Sequence, residues 1–313
     1  MNIPSGNSVS EDQLSIGELV TILFYFNMII DPLESISNAA KAFSKGAISL
    51  NRLSEFIRKN EINIENNLQE NRTHKFNAHI LNFENVNDLL VDDNMSILQP
   101  MSLQVNEEDI IGIAGLSGSG KSTLLRVIAR LIPSDGNIQL LENQLFHSIA
   151  EEDFRKKVVY IPQSPAIFPL SLQENVFMEN HSSFLNVLNK VGLKDRGNEL
   201  VDCSDIFNSG LSGGETQRLA VSRILSANFR LVLIDEPTSA LDFNNSIKVC
   251  DAIINHVFSS SGAAIIASHD PIVLERCSRI ILLKDGRTVE EGAFEELKST
   301  SEYFNVIVNR GNQ

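Results

Sequence analysis

Several short groups of residues have the types and spacing needed to handle a phosphate-bearing ligand. Gly115 to Thr123 reads GLSGSGKST and fills every fixed position of G-x-x-x-x-G-K-[ST], at Gly115, Gly120, Lys121 and Ser122. Glycines in such a run let the backbone curl until successive N–H groups point inward. A helix starting near Lys121 would add the positive end of its dipole to that cradle. Leu116, Ser117, Gly118, Ser119 and Thr123 complete the candidate loop, with Lys121 as the cation for the terminal phosphates and the Ser122 hydroxyl as a ligand for Mg²⁺. A second group lies in LVLIDEP, Leu231 to Pro237, where four aliphatic residues lead to Asp235 and Glu236. Asp235 is placed to anchor the metal shell, and Glu236, one residue on, to polarise an attacking water.

Such groups work only if elements carry them to one place, and the chain from Ala78 onward has the pattern that does so. Short aliphatic runs, IIGIAG at 110–115, VVYIP at 158–162, LVLID at 231–235, AAIIAS at 263–268 and RIILL at 279–283, alternate with helix-compatible segments around 121–131, 215–227 and 244–258. That alternation predicts an α/β domain with a largely parallel sheet, its strands buried on both faces. The loop then follows one strand and the acidic pair ends another, as P-loop NTPases require.

The residues between these motifs narrow the family. Gly210 to Leu219, GLSGGETQRL, resembles the signature motif of ABC ATPases, with Leu211, Ser212, Gly213, Gly214 and Glu215 in the LSGG-polar positions. YIPQSPAIF places Gln163 at that family's Q-loop, SALD (Ser239 to Asp242) resembles its D-loop, and IIASHD puts His269 at its switch histidine. The motifs occur in the family's order over roughly residues 78–313. The resemblance implies a P-loop NTPase of ABC ATPase type, with a mostly parallel core sheet, an antiparallel β subdomain and a helical subdomain. It also implies ATP and Mg²⁺ as ligands. In a head-to-tail pair of such domains each ATP would be held by one phosphate loop and capped by the other copy's Ser212, Gly213, Gly214 and Glu215. The same resemblance has Gln163 touching the metal shell and adjoining membrane helices, Asp242 at the dimer seam, and His269 at the γ-phosphate and attacking water. Glu236, His269, Lys121 and Gln163 are then the catalytic set, and Ser122, Gln163 and Asp235 the metal set.

Departures from the family pattern are as informative. Aligning FENV (Phe83 to Val86) with the family's first strand puts Leu90 where an aromatic ring would stack on adenine, leaving apolar contact from Leu90, Met95 or Ile97. Glu215 replaces the commoner Gln and is expected to add negative charge near the nucleotide. The stretch VDCSDIFNSG only loosely echoes the acidic-aromatic-glycine segment of exporters.

Composition bounds the rest. A chain of 313 residues, 42% hydrophobic and 21% charged, is mainly a soluble globular fold with room for an appendage. Forty acidic against 26 basic residues give a net charge of −14, which argues against nucleic acid as a partner. Cys203, Cys250 and Cys277 have no paired spacing and read as free thiols rather than a zinc site or disulfide framework. No signal peptide is evident at 1–12. Residues 14–33, LSIGELVTILFYFNMIIDPL, match the roughly 20 residues that span a bilayer core, with Lys41, Lys45, Arg52, Arg58 and Lys59 on the expected cytoplasmic side. With ISLNRLSEFI they look like the last transmembrane helix of bacterial ABC exporters and its extension. The expected organisation is therefore a partial membrane region at 1–58, a linker at 59–77 and the ATP-binding domain at 78–313. The expected partners are a second ABC ATPase domain, in a homo- or heterodimer, and a transmembrane subunit or further transmembrane helices, with the ATPase domain in the cytoplasm. A soluble ABC-type ATPase acting on DNA or ribosomes is the alternative. It is disfavoured by the single motif set, the absence of a long coiled-coil insertion and the acidic charge. A non-hydrolysing regulatory partner is disfavoured by intact Lys121, Asp235, Glu236 and His269.

Overall fold

The computed structural model describes residues 79–88, 97–140, 144–168, 170–176, 181–196 and 210–311. The candidate spanning stretch at 14–33, the linker, Leu90, Met95 and Cys203 lie outside the described residues.

Two sheets organise the described residues. The larger has the strand order β10-β9-β3-β8-β7-β6. Its members are β3 (Ile110–Ala114), β6 (Val158–Ile161), β7 (Leu231–Asp235), β8 (Ala263–Ala267), β9 (Arg279–Lys284) and β10 (Arg287–Gly292). Neighbours from β6 to β9 run parallel, and β10 returns antiparallel on β9. All five expected strands are present and form the parallel core. The aliphatic runs form strands because both faces are covered. Leu231 and Leu233 face one core cluster while Val232 and Ile234 face another, the period-2 alternation of a strand buried on two sides. Each such fully buried Val, Leu or Ile contributes about 1.5–3 kcal/mol, enough to override the modest backbone preferences of its neighbours.

The smaller sheet is antiparallel, with the order β2-β1-β4-β5. It comprises β1 (Leu81–Asp88), β2 (Met101–Val105), β4 (Ser134–Leu140) and β5 (Gln144–Leu145). β1 carries a register shift between Phe83 and Val86, where Asn85 takes a positive φ of 51°.

The helices that matter for the site are α1 (Lys121–Ile128), α2 (Glu151–Lys157), α3 (Leu172–Asn175), α4 (His181–Lys190), α5 (Gly213–Ile224) and α6 (Phe243–Ser259). Three further helices, α7 (Pro271–Leu274), α8 (Phe294–Thr300) and α9 (Glu302–Gly311), follow β8 and β10. α1 buries Leu124, Leu125, Val127 and Ile128 against one face of the large sheet. α5 and α6 cover the other face with Leu219, Val221, Val249 and Ile253. Cys250 and Cys277 are free thiols, and burial pushes both up to about 12, far from a reactive thiolate.

Strand register brings the motifs level. Ile113 of β3 pairs with Ala267 of β8, Asp235 of β7 also pairs with Ala267, and Ile161 of β6 pairs with Ile234. Residues just past these strand ends, 115 onward, 163, 236, and 268–269, therefore emerge along one edge. That edge is the carboxyl end of a parallel sheet, where α/β folds place their ligands.

Candidate nucleotide site

At that edge a cleft of about 460 Å³ is lined by Gly115 to Thr123, Gln163, Asp235, Glu236 and His269, with Ile97 and Ile307. Every residue expected at the phosphate, metal and water positions of one chain thus lines a single cavity.

The phosphate loop owes its path to three glycines. Gly118 and Gly120 have φ of 79° and 102°, a region that costs an L side chain strain. At Gly115 a Cβ would overlap both the Leu283 carbonyl oxygen and Ser119 Oγ, so only glycine lets the loop lie against β9. Gly120 is the N-cap of α1 and no side chain caps the helix there, nor does its first turn hold an acidic residue. The helix start therefore presents backbone N–H groups and a positive dipole end to the cleft.

Lys121 Nζ donates to the carbonyls of Gly115, at 2.7 Å, and Leu116, at 3.1 Å. Burial lowers the Lys121 pKa, opposed by the charges of Glu236 and Asp235. Among the described residues no carboxylate forms an ion pair with this ammonium, which leaves it poised for an incoming anion. Ser122, Gln163 and Asp235 offer a hydroxyl, an amide and a carboxylate on the same cleft. This all-oxygen set suits Mg²⁺, which takes few protein ligands and keeps the rest of its shell for phosphate and water. Asp235 is buried and Gln163 exposed.

Glu236 is tightly held. It is 7% exposed and has a φ of 52°, uncommon for a residue with a side chain. Several hydrogen bonds hold it there. Its N–H donates to the Ala267 carbonyl at 2.8 Å, its own carbonyl accepts the Gln217 side-chain amide, and its Oε1 lies 2.8 Å from His269 Nδ1. Ser268 Oγ lies 3.5 Å from Oε2. The carboxylate is thereby aimed into the cleft with one oxygen engaged by the histidine.

Ser212, Gly213, Gly214, Glu215 and Asp242 sit elsewhere. They line a second, more open cleft of about 540 Å³ with Arg218, Ala240, Leu241 and Asn245. Here Ser212 caps α5: its Oγ accepts the Glu215 N–H at 3.3 Å, and Glu215 Oε2 accepts the Ser212 N–H at 2.8 Å. Glu215 was expected to bring negative charge toward the nucleotide. It lines this cleft, and its carboxylate also turns back on the helix start as half of a capping box. Asp242 caps α6, its Oδ1 accepting the Asn245 N–H at 2.9 Å and its Oδ2 the Asn245 amide at 2.6 Å. These bonds hold its carboxyl below the usual range.

Some contributors carried no signal of their own. Gln217, buried within GLSGGETQRL, donates to the Glu236 carbonyl and accepts the Ala240 N–H at 3.0 Å, tying α5 to both the acidic turn and the turn before α6. Ile307, from α9, lines the first cleft beside Ile97. The capping box could have been read from the S-x-x-E spacing.

Comparison with known proteins identifies the family. The family model described as ABC transporter matches residues 98–239. A putative export ATP-binding/permease protein of Rickettsia typhi is 31% identical over 222 residues, 68% of this chain and 38% of the relative. Its counterpart from Rickettsia prowazekii is 27% identical over 311 residues, 96% of this chain and 53% of the relative. The alpha-hemolysin translocation ATP-binding protein HlyB of Escherichia coli is 28% identical over 308 residues, 94% of this chain and 42% of that protein. The chain thus spans about half or less of these relatives' length. Among solved structures, a bacterial Atm1-family ABC exporter with ATP bound shares the fold, with a TM-score of 0.68 at 23% identity over 96% of this chain and 53% of that one. This chain belongs to the ABC transporter family, and the α/β domain described above is its ATP-binding domain.

Proposed function

We propose that this chain hydrolyses ATP with Mg²⁺ and supplies the energy for export across a membrane, working in a head-to-tail pair of ATP-binding domains. The observation that carries the reading is the register that levels β3, β7 and β8, placing the phosphate loop, Asp235–Glu236 and His269 on one cleft. Lys121 and the loop N–H groups bind and orient the phosphates, and Ser122, Asp235 and Gln163 hold the metal. The metal's chemistry is to neutralise charge on the phosphates. Glu236 accepts a hydrogen bond from the attacking water and so polarises it, and His269 keeps its carboxylate in position. The second cleft, formed by Ser212, Gly213 and Gly214, serves the ATP of the partner copy, so nucleotide becomes part of the interface. The names of the relatives, export and permease proteins, support transport as the work done. Their alignment through the N-terminal segment supports reading 14–33 as membrane-anchoring, with the ATPase domain in the cytoplasm.

With purified full-length chain, phosphate release from ATP is expected with Mg²⁺ and to be abolished by EDTA. Retention of activity in EDTA would refute the metal assignment. Among the described residues only Ile97 and Ile307 give the cleft apolar side chains beyond the loop itself, and neither can stack or read a base edge. ATP and GTP affinities should therefore agree within about tenfold, or 1.4 kcal/mol. A larger preference would reveal a base contact outside these residues. The anchoring claim predicts that the chain stays with membranes through a high-salt wash and leaves them in detergent. Release by salt alone would remove it.

A further inference from the structure

The mechanism above makes no use of the C-terminal helix, yet α9 reaches the phosphate loop. Tyr303 OH donates to the Leu283 carbonyl at 2.9 Å and accepts the Leu116 N–H at 3.3 Å. A phenol has one proton to give and lone pairs to accept, so this single hydroxyl is spent bridging the end of β9 to the second residue of the loop. The Leu283 carbonyl is the same oxygen against which Gly115 packs so closely that no Cβ would fit.

We infer that Tyr303 is a positioning residue for nucleotide binding, its hydroxyl holding the Leu116 peptide so that the loop stays open when Lys121 turns to phosphate. The inference rests on the nucleotide reading given above. The Leu116 carbonyl accepts Ser119 N–H and Lys121 Nζ, both at 3.1 Å, while its N–H is held by Tyr303. A lysine that turns its three donors toward phosphate oxygens has fewer left for the Gly115 and Leu116 carbonyls. The Tyr303 bond is not consumed by that movement. It then becomes a principal tie between the loop's first turn and the rigid sheet.

The helix is held firmly enough to act as a clamp. Phe304 is fully buried and meets Phe294 edge-to-face at 5.4 Å, and Ile307 packs with Ala114, Ile280 and Leu282 of β3 and β9. Tyr303 and Ile307 are four residues apart, so they share the helix face turned toward the loop. Ile307 itself lines the cleft. Lys284 Nζ lies 5.6 Å from the Tyr303 ring centre, a further contact on the ring.

The test uses the full chain carrying Tyr303→Phe, which keeps the ring and removes the bridge. ATP affinity, measured by calorimetry with Mg²⁺, should fall about three- to tenfold, the loss of one partly buried hydrogen-bonded bridge. Hydrogen exchange at the Leu116 amide should speed up in the nucleotide-free protein, while its unfolding temperature stays near that of the wild type. Unchanged affinity in the folded variant overturns the inference. So does an affinity loss matched by general destabilisation with Leu116 exchange unaltered, since that is what a purely structural contact would give. A second measurement needs no variant: adding Mg²⁺-ATP to the wild type should slow exchange in 302–311 together with 115–123, and protection of the loop alone overturns the clamp. Failure of the wild type to bind ATP would instead sink the nucleotide reading, leaving the Leu116 exchange comparison to judge the bridge.

Discussion

Glu236→Gln should retain ATP and lose steady-state hydrolysis by a factor on the order of 10² or more. The substitution is nearly isosteric. Its amide keeps an oxygen that can accept a hydrogen bond at the position now facing His269 Nδ1, at 2.8 Å, and the backbone bonds to Ala267 and Gln217 do not involve the side chain. The fold and the direction of the side chain are thus preserved, and what disappears is the basic carboxylate. Binding should hold or tighten. Glu236 and Asp235 both favour the charged form of Lys121, and with Asp235 unaltered the ammonium keeps one acidic neighbour while the phosphates meet one negative charge fewer. The measurement is phosphate release at saturating ATP beside equilibrium ATP binding on the same sample. Turnover near wild type would remove Glu236 from its role and shift attention to His269. Loss of binding would mean that the carboxylate shapes the site rather than acts in it.

How much of this was legible in the sequence follows from how local each signal is. The five parallel strands read directly, because burial on both faces writes an unbroken aliphatic run such as LVLID or AAIIA. Their register, which levels Asp235 with the end of β3, is not a property of any one run and appears only in the fold. The smaller sheet was nearly silent. β4, SDGNIQL, opens with residues that read as a turn, and β1 is interrupted by the irregularity at Asn85. The phosphate loop and acidic pair were legible because their chemistry demands fixed residue types at short spacing. Gln217 and Tyr303 were not, since a glutamine that satisfies a carbonyl 19 residues away, or a tyrosine that reaches an amide 187 residues away, leaves no periodic or spacing mark. The role of Glu215 shows the converse. Its type alone suggested only a charge near the ligand, whereas the S-x-x-E spacing also marks a helix cap, which the backbone adopts while Glu215 still lines the second cleft.

The separation of the two clefts leads to the prediction with the sharpest outcome. Lys121 and Gly213 line different cavities of the same chain, so if each ATP needs both, it must take them from two copies. Lys121→Ala removes the cation from the loop. Gly213→Asp places a carboxylate at the first residue of α5, where its Cβ would lie at an ordinary 3.7 Å from Ala240 Cβ and an acidic residue favours the helix start. The fold should therefore tolerate it while the γ-phosphate is repelled. Each variant alone should lose hydrolysis by a factor on the order of 10², the scale for removing a preorganised donor from developing charge. Mixed under conditions that let subunits exchange, the two should recover activity. A head-to-tail interface presents different patches on each copy to each site, so a mixed pair has one site with both defects and one with neither. With equal mixing about half the pairs are mixed and each has one of two sites intact, so recovery to about a quarter of wild type is expected for independent sites. The check is phosphate release from the mixture against each variant alone, with folding of both confirmed beforehand. No recovery between well-folded, exchanging variants would show that the signature face of this chain does not complete the phosphate loop of another copy, and the pairing would then have to be with a different chain.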